Sequence, residues 1–99
     1  MALARVVTFE GGTAEGLRAA VEEVNGQMRD RGGPPEGVKS IGMTFLVDPD
    51  GGRAMFVGIF ENEADLNDST ATLEAMSPPE GMGQRASVDV YEVGADVRM

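Results

Sequence analysis

Apolar residues recur along this chain with two different periods. From residue 17 onward Leu17, Ala20, Val21, Val24 and Met28 fall at i, i+3, i+4, i+7 and i+11, which places all five on one face of a helix. Thr13 stands ahead of that stripe as a hydroxyl N-cap, and the helix is predicted to run to about Arg29 before Gly32-Gly33-Pro34-Pro35 breaks it. Leu66, Thr70, Leu73 and Met76 define a second helix, capped by Asn62, with Asp65 in the first turn where a carboxylate suits the helix dipole. The Ser77-Pro78-Pro79-Glu80-Gly81 run is expected to end it.

The remaining apolar segments are β-prone. Leu3–Glu10 carries Val6, Val7 and Phe9 and closes on Gly11-Gly12. Segments 38–47 and 53–60 flank Asp48-Pro49-Asp50-Gly51-Gly52, whose residues supply a fixed φ, Asx turns and a positive φ, so they form a hairpin. Segment 84–93 alternates in part, with Val88 and Val90 against Asp89 and Glu92, and makes a last strand. The order is β-α-β-β-α-β. It predicts an α+β domain in which two helices cover one face of a four-stranded antiparallel sheet.

Such a sheet has a second face, which in an ordinary monomer is polar. Here the third strand shows Met55, Val57 and Ile59 on one side and Ala54, Phe56 and Phe60 on the other. The second strand repeats the pattern, with Ile41, Met43, Phe45 and Val47 opposed to Gly42, Thr44 and Leu46. No register makes either side polar. Leaving large apolar side chains in water forgoes about 1.5–3 kcal/mol each, so the expected partner is a second copy, paired sheet to sheet. The alternative is that loops or the C-terminal tail cover this face.

Composition narrows the chemistry. Ninety-nine residues make one domain, residues 1–99. Seventeen acidic against eight basic residues give a net charge of −9, which argues against nucleic acid and anionic membrane surfaces as partners. No apolar run approaches a membrane span and the N-terminus lacks a basic, apolar leader, so a cytoplasmic protein is expected. The chain contains no His, Cys or Trp. Thiolate and imidazole chemistry are therefore absent, and no cofactor or metal is expected. Glu61, Glu63, Asp65 and Asp68 read as a helix N-terminus and a solvated face rather than as metal ligands.

The junction Met55-Phe-Val-Gly-Ile-Phe-Glu-Asn-Glu-Ala-Asp-Leu66 and the closing strand Ser87-Val-Asp-Val-Tyr-Glu-Val93 resemble the dimeric α/β-barrel superfamily of ferredoxin-like domains. The nearest branch holds antibiotic-biosynthesis-monooxygenase-like and stress-responsive proteins. The resemblance implies a ferredoxin-like fold, pairing as a dimeric barrel, and a pocket between helices and sheet. It does not imply one activity, because members include cofactor-free oxygenases, haem-degrading enzymes and proteins of no known activity. The haem-degrading members carry an Asn on strand one, a Trp ending strand three and a His on helix two. The nearest positions here are Arg5, Phe60 and Thr70, so those roles are missing, and haem has no obvious axial ligand apart from Tyr91 or a Met.

Arg5, Phe60, Thr70 and Tyr91 are the candidate ligand-binding residues. Arg5, Asp89 and Tyr91 would line one end of a pocket if their strand faces point toward the helices; the alternative is exposed strand ends for Arg5 and Asp89 and a core tyrosine. Met28, Met43, Met55 and Met76 hold core-like positions and would suit a pocket for a flat, apolar molecule, or simply fill a core. Gly81-Met82-Gly83-Gln84-Arg85 reads as an ordinary long loop or a lid. Two functions follow: a binder of a small apolar or aromatic ligand, or a cofactor-free monooxygenase-like enzyme acting on one; and a non-catalytic interaction module whose homodimer is the functional unit. An open cavity faced by a polar group favours the first, and a cavity plugged by Met28, Phe60 and Met76 favours the second.

Overall fold

The computed structural model describes residues 2–76 and 81–97. The elements follow the predicted order: β1 (Leu3–Gly11), α1 (Ala14–Arg31), β2 (Ser40–Asp48), β3 (Arg53–Phe60), α2 (Glu63–Ala75) and β4 (Gly83–Glu92). The strands form one antiparallel sheet of order β2-β3-β1-β4, which with two helices gives a ferredoxin-like α+β fold. The expected helix stop at Ser77-Pro78-Pro79-Glu80 lies outside the described residues.

Local chemistry sets most boundaries. The Thr13 side chain accepts from the Gly16 N–H at 3.0 Å and the Asn62 side chain from the Asp65 N–H at 2.8 Å, so each helix starts where its cap satisfies a free amide. Gly32 ends α1 in the left-handed region, φ 70°, with its N–H on the Met28 carbonyl. In the hairpin turn, Asp48 accepts from the Gly51 N–H and from the Arg53 guanidinium, which holds its carboxyl below the usual carboxylate range. The second strand starts two residues later than its apolar run suggests. The Val38 N–H turns back to the Pro35 carbonyl, and Val38 is buried as a core side chain without joining the ladder.

Residues opposite one another in a ladder share a face, so the register sorts the two sides of the sheet. Val7 lies opposite Phe56 and Val88, and Arg5 opposite Gly58 and Val90; these face the helices. Val6 lies opposite Val57 and Asp89, and Ala4 opposite Ile59 and Tyr91; these face away. The core divides in two. Val7, Phe9, Leu17, Ala20, Ala54 and Met82 form one cluster, extended by Phe45 and Phe56, and Val38, Phe60 and Leu66 form the other. Phe56 joins strands across the first, stacked on Phe45 at 4.2 Å between centroids and edge-on to Phe9 at 6.1 Å.

Met82 is fully buried. Of the expected loop or lid at residues 81–85, residues 83–85 belong to β4 and the Met82 side chain is anchored in the core, so neither reading describes the segment as a whole. The Thr13 N–H donates to the Gly81 carbonyl, tying the same segment to the start of α1.

Candidate functional site

The apolar stripe of α1 is buried unevenly. Leu17 and Ala20 pack into the core, whereas Val21, Val24 and Met28 remain half-buried. Between this C-terminal half of the helix and β2 lies an open groove of about 400 Å³, walled by Val21, Val24, Met28, Ile41, Met43 and Phe45. Ile41 marks its rim: the β2–β3 register gains one residue between Ser40 and Gly42, so Ile41 is the extra residue of a bulge and is 63% exposed. Asn25 and Ser40 supply the polar side chains of the lining, and among the described residues none that lines the groove is titratable. The volume lies in the range of small-molecule sites.

A second hollow, beside Glu10, Gln84 and Arg85, has no lining side chain more apolar or larger than alanine apart from those polar ones. It offers no wall for an apolar ligand.

The four residues expected to bind ligand are not brought together. Phe60 is sealed in the smaller core cluster. Thr70 is half-buried on α2, and its hydroxyl donates to the Leu66 carbonyl one turn back. Arg5 faces the helices and donates to Glu74 at 3.0 Å. Tyr91 and Asp89 stand on the opposite side of the sheet, in register with Ala4 and Val6. The pocket end formed by Arg5, Asp89 and Tyr91 therefore does not exist, because their strand faces point in opposite directions. None of the four candidates lines the α1–β2 groove.

Two of the four flagged methionines, Met28 and Met43, do line it; Met55 is on the face turned away from the helices, and Met76 is exposed. Sequence reasoning missed Asn25 and Ser40. The available signal was positional: Asn25 follows Val24 and comes one turn before Met28, which puts it beside the apolar stripe.

The opposite sheet face carries Val6, Met55, Val57 and Ile59 at its centre, with Leu46 and Tyr91 toward the edges. Leu46 is 51% and Tyr91 57% exposed. Thr8, Thr44, Ser87 and Asp89 are polar members of the same face, and the Thr8 and Ser87 hydroxyls share a hydrogen bond.

Among the described residues no group of three or more carboxylates is arranged to hold a metal ion, and no helix is long and apolar enough to cross a membrane. No family model matches the chain, and no curated protein matches it.

Proposed function

We propose that this protein binds a small, mainly apolar molecule in the α1–β2 groove, and that it does so as a homodimer joined through the apolar sheet face. The observation that carries the binding role is the groove itself: apolar walls, two uncharged polar side chains, and an opening to solvent. Met28 forms part of the wall without filling the space, Phe60 belongs to a separate cluster and Met76 is exposed, so none of the three plugs it. A lining with no acid or base favours binding over catalysis, because proton abstraction needs a titratable group within hydrogen-bond reach of the substrate.

The dimer reading rests on the apolar face described above, and pairing of this kind is what the sequence resemblance to dimeric α/β-barrel proteins implies. Pairing through that face leaves the groove open, since the groove is on the helix side of the sheet.

An amide NMR titration with 1-naphthalenemethanol tests the binding role. Shifts concentrated at Val24, Asn25, Met28, Ile41 and Met43 are expected. Shifts absent, or confined to the sheet face that bears Val57, would refute it and favour an interaction module.

A further inference from the structure

We infer that the α1–β2 groove selects neutral ligands, and rejects anionic and cationic molecules of the same skeleton. This rests on the groove being a ligand site, and it adds a ligand class to that reading.

The first ground is the lining, in which Asn25 and Ser40 are the polar side chains and neither carries charge. A carboxylate or ammonium moved from water onto such a wall loses hydration and finds no counter-ion. An uncharged hydroxyl or carbonyl needs only one hydrogen-bond partner, which an amide or a hydroxyl can provide.

Cations near the groove in sequence are placed elsewhere. Lys39, next to Ser40, is held by Asp68 at 2.9 Å. Arg29, one residue after Met28, has its guanidinium near Gly26. Arg31 is exposed in the last turn, and neither arginine lines the groove. The net charge of −9 opposes an anion at long range, whereas the partial negative charge at the C-terminal end of α1 is offset by Arg29 and Arg31 in its last turn. The net charge would attract a cation to the surface, but the lining residues named above include no carboxylate.

A naphthalene series isolates charge from shape. Calorimetric titrations of the full chain with 1-naphthalenemethanol, 1-naphthoate and 1-naphthylmethylammonium at neutral pH are expected to show the alcohol binding about tenfold or more tighter than either ion. Equal affinities would overturn the selectivity and leave the groove reading intact. Binding of none of the three would overturn both.

Ile41→Lys then locates the effect. Ile41 is already largely exposed at the rim, so the substitution leaves the core untouched. The variant is expected to gain about tenfold in affinity for 1-naphthoate and to narrow the gap to the alcohol. An unchanged naphthoate affinity would place the selection outside this groove.

Discussion

Glu74 on α2 binds Arg5 on β1: the Arg5 Nη2 donates to Glu74 Oε1 at 3.0 Å, while Arg85 on β4 donates to Oε2 at 2.9 Å. One carboxylate thus fastens the second helix to two neighbouring strands. The arginine expected to face a ligand is instead used to hold the fold, and its side chain is only 10% exposed.

That arrangement predicts acid sensitivity. Hydrogen bonds from Arg85 and then Arg5 hold the Glu74 carboxyl below its ordinary range, and Arg53 does the same for Asp48. A carboxyl depressed in the folded state contributes stability above its unfolded pKa and loses it as pH falls through the folded value. Urea unfolding midpoints should therefore hold steady above about pH 5 and drop below about pH 4. Glu74→Gln should lower the midpoint at neutral pH, modestly for the exposed Arg85 pair and further because the largely buried Arg5 loses its carboxylate partner, and should flatten part of the acid slope. An acid slope identical in the variant would show that Glu74 has no share in it.

Two glycines of α1 should respond to alanine with opposite signs. At Gly26 an added Cβ would meet nothing closer than the Arg29 Nη2 at 3.9 Å, so Gly26→Ala should stabilise by about 0.5–1 kcal/mol. At Gly16 the Cβ would lie 2.6 Å from the Gly81 carbonyl oxygen and 2.7 Å from the Gly81 Cα. Backbone on both sides cannot yield cheaply. Gly16→Ala should therefore destabilise despite alanine's better helix propensity, and thermal melts of the two variants read the signs directly.

Met82→Ala should cost about 2–5 kcal/mol, as for other fully buried large side chains, and should loosen the segment that contacts the start of α1. Denaturant unfolding gives the first quantity. Faster amide exchange at Thr13, whose N–H is held by the Gly81 carbonyl, reports the second.

Residues whose role is set by near neighbours were legible in the sequence. Thr13 and Asn62 cap the helices as expected, and β3 occupies residues 53–60 as read, because capping and turn chemistry act over three or four positions. Residues placed by distant contacts were not. Met82, set between glycines, looks like a loop residue, yet it is buried with Val7 and Leu17 far away in sequence. Ser69 is a polar residue on a weakly amphipathic helix, but its hydroxyl accepts the Lys39 N–H and donates to the Asp65 carbonyl, each at 2.8 Å, which satisfies it in full burial. The side taken by Asp89 and Tyr91 could not be read because both faces of β2 and β3 are apolar, and alternation alone gives no choice between them. The groove escaped for a related reason: the α1 stripe is continuous in sequence, whereas only its first half meets the core.

A sheet with one face proposed to pair with a second copy and the other carrying the groove is tested by sedimentation equilibrium of wild type beside Leu46→Asp. Leu46 lies on the face proposed to pair, in register with Met55, and is already half exposed in the single chain, so the charge spares the fold. Wild type is predicted at twice the 10.4 kDa chain mass and Leu46→Asp at the single-chain mass, as is Val57→Asp at the centre of the same face. A wild-type protein at the single-chain mass, or folded variants that remain dimeric, would contradict it.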